Sequence, residues 1–136
     1  MIILLSAMML LGGPKAHRAV DAAPIIYQES LAAGVDPYLV ASLAWVESRW
    51  NPRIRSKTND CGMMQLNLKY SKFTCHQLFD LRTNVRAGIK AIKYWQKRFG
   101  KDFLCHYNSG NKCYRSSRNY AKKIRRTMRK LRRMQW

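Results

Sequence analysis

An apolar helix that runs into a glutamate and is then stopped by Asn51-Pro52 constrains this chain more than any other feature. Leu39, Val40, Leu43, Val46 and Glu47 recur at helical spacing, which puts Glu47 on the face of Val40 and Leu43. Asp36 is suited to cap that helix and Pro37 to open its first turn. Asn51, preceding a proline, is biased out of the helical region, so the helix has to end near Glu47. The carboxyl therefore sits at the edge of an apolar stripe and near the negative end of the helix dipole. Both circumstances disfavour its charged form and make a protonatable acid near neutral pH. Taken alone, a glutamate in so basic a chain more commonly forms a structural ion pair.

The neighbouring segments read as helices too. Pro24 can open a helix through Ala33, with Gly34 as a left-handed terminator. Val85, Gly88, Ile89, Ile92 and Phe99 keep helical spacing up to Gly100, and Gly88 inside that helix suggests a close helix–helix approach. Phe103 to Tyr107 makes a short helical turn closed by Asn108-Ser109-Gly110. Between them, Cys61 to Leu68 has no clear period and suits a small hairpin or the start of a helix. The last segment, from Asn119 to Met134, carries an apolar stripe (Tyr120, Ile124, Met128, Leu131, Met134) with Lys and Arg over the rest of its surface. Its ordinary explanation is a docking helix with a solvated cationic back; its sharper one is a helix that binds an anionic membrane, wall polymer or nucleic acid.

At 136 residues the chain is most simply a single domain, and 47% apolar residues are enough for a core. Its 26 Lys and Arg against 7 Asp and Glu give a formal charge of +19, a field that attracts polyanions. Residues 1–22 are expected to be an export signal: the apolar run to Leu11 has secretory length, Gly12-Gly13-Pro14 breaks it, and Val20-Asp21-Ala22 offers a cleavage site. No basic residue precedes the run, so a retained membrane anchor is the second reading and a buried N-terminal helix the third. Removing residues 1–22 takes away only Lys15, Arg18 and Asp21 among the charged groups, so the basic character survives processing. Four cysteines behind such a leader imply two disulfides, and short local loops favour Cys61–Cys75 and Cys105–Cys113. Zinc is the weaker alternative, since adjacent Cys-His pairs seldom converge on one ion and no C-x-x-C spacing exists. Neither a metal nor an organic cofactor is expected.

Several short motifs acquire meaning only together. Glu47-Ser48-Arg49-Trp50-Asn51-Pro52 precedes Gly62-Met63-Met64-Gln65 by about a dozen residues. Tyr107-Asn108-Ser109-Gly110 follows the Val85–Phe99 helix, and Tyr120 comes after that. In order and spacing they resemble the lytic transglycosylase domain of the lysozyme-like superfamily, related to goose-type lysozymes, over about Ile25 to Leu131. The first motif matches the family's E-S-x-x-N-P, and the second its G-L-M-Q with Met63 for leucine, a volume-conserving change. His106 and Ser109 depart from the alanines of A-Y-N-A-G. Ser116 and Ser117 replace the Glu and Thr of E-T-x-x-Y, whose tyrosine is Tyr120. Asp60 and Leu66-Asn67 resemble the small members associated with conjugation, secretion and phage.

The resemblance implies a mainly α, lysozyme-like helical domain over residues 23–136, ending in the basic helix, with at most a small β-hairpin near the cleft. It implies peptidoglycan as substrate, cut at the β-1,4 bond from N-acetylmuramic acid to N-acetylglucosamine. Glu47 would be the acid and then the base, giving a 1,6-anhydro end. Ser48, Met64, Gln65, Tyr107, Asn108 and Tyr120 would bind substrate or support the acid. Ser48 would hydrogen-bond Glu47, and the amides of Gln65 and Asn108 both donate and accept, as sugar hydroxyls and acetamido groups require. Without the family pattern Ser48, Gln65 and Asn108 would be read as caps, and Met64, Tyr107 and Tyr120 as core. A muramidase using Asp60 to position water, and an inactive basic module that only binds wall, membrane or DNA, are the competing functions. The implied location is the periplasm or cell envelope, or outside the cell with a virion. Secretion, conjugation or phage machinery are the implied partners, and nucleic acid is not expected as a specific one.

Overall fold

A computed structural model describes residues 1–134; the last two residues of the expected domain, Gln135 and Trp136, lie outside the described residues. Seven α-helices carry the architecture: α1 (Ile2–Gly12), α2 (Ala16–Ala33), α3 (Pro37–Ser48), α4 (Cys75–Leu78), α5 (Leu81–Phe99), α6 (Phe103–Ser109) and α7 (Arg115–Arg133). The sheet is one antiparallel pair, β1 (Asp60–Cys61) with β2 (Leu66–Asn67), in the register Asp60 to Asn67 and Cys61 to Leu66. The chain is therefore mainly α, as expected, with the small hairpin beside the cleft.

Local chemistry accounts for most helix ends. Asp36 caps α3 by accepting from the Tyr38 N–H at 2.9 Å, with Pro37 at the first turn. Asp80 caps α5 through the Thr83 N–H, also at 2.9 Å. Gly34 ends α2 in the left-handed region (φ 68°). Pro24 corrects the sequence-based expectation: it lies inside α2, which begins eight residues earlier. Proline lacks only one N–H and its φ already suits a helix, so a packed helix can carry it across. Ala19, Ala22, Ala23 and Ile26, all buried, supply that packing around Pro24.

The apolar N-terminal stretch folds as α1 and packs mainly on α2. Leu4, Ala7 and Met8 are buried in the same core as Val40, Leu43, Ile92, Ile124 and Leu131. Gly12 meets Trp50 so closely that a Cβ there would lie 3.2 Å from the indole ring. Among the described residues no helix is long and apolar enough to cross a membrane. α7 closes the bundle against α3 and α6, burying Ser117, Ala121, Ile124 and Leu131 and turning its many cations outward.

Both expected disulfides are present, Cys61–Cys75 and Cys105–Cys113, and no cysteine is free. The first ties the hairpin to α4. The second ties α6 to the loop before α7 and consumes the thiols that, with His106, would otherwise have offered a small metal-ligand cluster.

Candidate active site

A cleft of about 1480 Å³ runs between the hairpin side, α5 and the C-terminal end of α6. Glu47, Asp60, Gln65, Tyr107 and Asn108 line it together, although they come from three separate parts of the chain, the end of α3, the hairpin and α6. Each disulfide anchors a segment that forms one of its walls.

Glu47 is delivered by the last turn of α3. That turn ends abruptly: Arg49 and Trp50 both take positive φ (54° and 58°). Trp50 then dives into the core, donates its indole N–H to Ala41 O at 2.9 Å, and packs on Trp45 with centroids 4.5 Å apart. Left-handed non-glycine residues are costly and persist where the surroundings over-determine them. Gln65, on the facing turn, is a further one (φ 53°).

Burial is the main influence on the Glu47 carboxyl and raises its pKa from 4.5 to about 7. Asp60 pushes in the same direction through its charge, and Tyr120 opposes both as a hydrogen-bond donor. The Tyr120 hydroxyl is buried and has no partner in direct hydrogen-bond geometry among the described residues, so its influence on Glu47 is that of a donor at the edge of reach. None of the ion pairs among the described residues involves Glu47: they join Glu29 to Arg82 and Arg86, and Asp36 to Arg132. The commonplace reading of Glu47 as a paired surface acid therefore fails on geometry.

Ser48 departs from expectation. Its buried hydroxyl donates to Met63 O at 2.6 Å and accepts from the Asn51 N–H at 3.1 Å, so it links the end of α3 to the Gly62–Gln65 turn rather than bonding Glu47. Met64 also requires correction as a substrate contact. Its side chain is fully buried, and a Cβ on Gly88 would come within 2.3 Å of its sulfur. Gly88 thus makes room for a methionine beneath the cleft rather than for a second helix. Tyr107 reaches the same turn from the other side, donating to Met64 O at 3.1 Å. Burial and the nearby Glu47 and Asp60 charges hold its phenol well above its ordinary pKa, so it stays a neutral donor. Gln65 lines the cleft while its amide N–H group donates to Gly62 O at 2.9 Å, and Asn108 is exposed on the opposite wall. Tyr120 stands behind Glu47 rather than among the residues lining the cleft.

Asn84, in the first turn of α5, holds the Gly62–Gln65 turn in shape. The buried amide accepts from the Met64 N–H at 2.8 Å and donates to Cys61 O at 3.0 Å and Leu78 O at 2.9 Å. Gly62 lies against it with φ 77°, where a Cβ would come within 2.3 Å of Leu78 O. The signal for this role was a polar residue on an otherwise apolar helix face. His106 fills the position where alanine was expected, stacking on Phe99 with centroids 3.4 Å apart and Nδ1 2.6 Å from Gly110 O.

Comparison with known proteins follows the same lines. Residues 24–128 match the family described as the transglycosylase SLT domain. Membrane-bound lytic murein transglycosylase E of Buchnera aphidicola is 34% identical over 48% of this chain and 35% of its own length. Endo-type membrane-bound lytic murein transglycosylase A of Salmonella paratyphi B is 41% identical over 40% of this chain and 27% of its own. The chain thus spans about a third of the length of these relatives. In fold it is similar to the 70 kDa soluble lytic transglycosylase of Escherichia coli (TM-score 0.71, 17% identity, 81% of this chain and 24% of that one). A lytic transglycosylase Slt from Pseudomonas aeruginosa gives a TM-score of 0.67 at 15% identity, over 77% of this chain and 23% of that one.

Proposed function

The chain belongs to the transglycosylase SLT domain family, and from that premise we propose that it is a peptidoglycan lytic transglycosylase whose acid is Glu47. One observation carries the reading: in a chain of charge +19, a largely enclosed carboxyl faces a cleft without a cationic partner, with a pKa of about 7. Such a group is populated in both protonation states near neutrality, as one acting first as acid and then as base requires.

In this mechanism the glycan lies along the cleft with its β-1,4 bond at Glu47. The protonated carboxyl gives its proton to the glycosidic oxygen as the bond to the muramic C1 breaks. The muramic N-acetyl oxygen attacks C1, replacing the second carboxylate of an ordinary retaining glycosidase. Glu47, now ionised, takes the proton of the sugar's own C6 hydroxyl while that oxygen closes on C1 and displaces the N-acetyl oxygen, which restores the acetamido group and leaves a 1,6-anhydro end. Gln65 and Asn108 hold sugar hydroxyls and acetamido groups, and Tyr107 walls the cleft. Tyr120 steadies the ionised form of Glu47. Ser48 and Met64 serve from behind, by fixing the turn.

A hydrolytic outcome is the second reading, favoured by one observation: Asp60 is near enough to Glu47 to raise its pKa. Its side chain is already bonded by Ser56, Thr58 and Asn67, which leaves it less free to direct a water. Mass spectrometry of muropeptides released from purified peptidoglycan decides between them. Anhydro ends support the transglycosylase, reducing ends support a muramidase, and no soluble product sinks both. We place the work in the cell envelope; N-terminal sequencing of the exported protein decides whether residues 1–22 are removed as a leader or stay, as an anchor or as the buried helix α1. The cationic back of α7 would hold the protein to anionic wall or membrane near the machinery that needs a local opening.

A further inference from the structure

One wall of the Glu47 cleft is cationic in a way the bond-breaking chemistry does not use. Arg86, Lys90 and Lys93 stand at i, i+4 and i+7 on α5, along about 10 Å of helix. All three are exposed and line the cleft, as does Lys72 beyond the hairpin. Their charge is only partly spent inside the protein. Glu29 takes Nε of Arg86 at 2.8 Å, while 65% of the Arg86 side chain remains open to solvent. Lys93 donates to Ala33 O at 3.0 Å and keeps two further protons. Lys72 lies over the Phe73 ring, 5.3 Å from its centroid, and Lys90 has no partner among the described residues. Apart from Glu29, which already binds Arg82 and Arg86, the acids lining the cleft are Glu47 and Asp60. The cleft is thus divided into an acidic centre for bond cleavage and a cationic wall.

A strand stripped of its stems keeps one carboxylate per muramic residue, on the lactyl group close against the ring, whereas stems extend further carboxylates outward. The peptide stems of peptidoglycan carry free carboxylates. We propose that Lys72, Lys90 and the outer nitrogens of Arg86 and Lys93 bind stem-peptide carboxylates, so that the site selects glycan strands bearing anionic stems over stripped or amidated ones. This inference rests on the peptidoglycan reading above and adds the substrate form to it. The exposed rings of Tyr70 and Tyr94, on the same cleft, offer apolar faces for the intervening alanine side chains.

The test compares substrates and charge reversals in the full chain. Sacculi freed of phosphate polymers are used either intact, with stems amidated at their carboxylates, or with stems removed by an amidase. The Lys72→Glu/Lys90→Glu variant is set against Lys122→Glu/Lys130→Glu, which makes the same change of net charge on α7, away from the cleft. The expected result is a rise in KM of about tenfold for the cleft variant on anionic stems, with kcat nearly unchanged, and little change on amidated or stem-free strands. The α7 variant should lose less than the cleft variant on anionic stems, through a weaker general attraction to the wall. Equal losses for both variants, or a cleft variant indifferent to the stem, would overturn the inference. Wild-type cleavage of stem-free strands keeps the parent reading intact in that event; cleavage of no substrate would overturn both.

Discussion

Glu29 and Glu47 are the same side chain on the same cleft, and the protein treats them oppositely. Glu29, on α2, is gripped by Arg86 and Arg82, and these contacts hold its pKa below the ordinary value of 4.5 despite some burial. Glu47, on the neighbouring helix, is walled in by protein and meets an acid, Asp60, instead of a cation; its pKa climbs to about 7. With 26 Lys and Arg in 136 residues, an unpaired enclosed carboxyl is not what chance mixing would leave. The contrast separates a carboxylate held ionised by its partners from one whose surroundings favour its protonated form.

The sharpest way to break the comparison is to neutralise both. Glu47→Gln should lower the rate of peptidoglycan cleavage by about 10³-fold, within the range for losing a general acid, while wall binding persists. Glu29→Gln should leave cleavage within a few-fold of wild type. Comparable activity losses in the two variants would erase the distinction.

Stability against pH is the next largest effect, and its sign differs between the two. For Glu47 the folded pKa is raised, so the folded state holds its proton longer than the unfolded chain. Stability then falls as pH rises from about 4.5 through about 7. Glu47→Gln should therefore raise stability at pH 8 by up to about 3 kcal/mol and change it little below pH 4.5. For Glu29 the folded pKa is lowered, so its contribution is present above 4.5 and is lost as pH falls through the lowered value. Its partners are well exposed, so Glu29→Gln should cost little and only above that pH. Thermal denaturation across pH 3–9 measures both.

Smaller shifts should follow from the neighbours of Glu47. The proposed mechanism starts from protonated Glu47, so kcat/KM should decline as pH rises through about 7. Asp60→Asn removes a charge that raises the pKa and should move that limb to lower pH; Tyr120→Phe removes a donor that lowers it and should move the limb up. Limbs that move together, or not at all, would show that another group controls the profile.

Much of this was legible locally. The cap at Asp36, the terminators at Gly34 and Gly100, and the two short-loop disulfides all depend on residues near one another in sequence. What misled was also local. Pro24 looked like a helix start because propensity ignores the packing of Ala19, Ala22 and Ala23 that carries α2 across it. The family motif implied Met64 as a substrate contact, but the space above Gly88 claims its side chain, as the reading without the motif had it. Ser48 looked like the partner of Glu47, although a carbonyl 15 residues away accepts its hydrogen bond.

By itself, the sequence determined the helical class, favoured the cysteine pairing that forms and singled out Glu47 as the candidate acid, because capping, periodicity, loop closure and motif spacing act over short distances or are written in residue order. Only the tertiary structure decided what surrounds that acid. The pKa of Glu47 depends on burial, on Asp60 across the cleft and on Tyr120 from the last helix. Those distances are products of packing, and no local pattern encodes them.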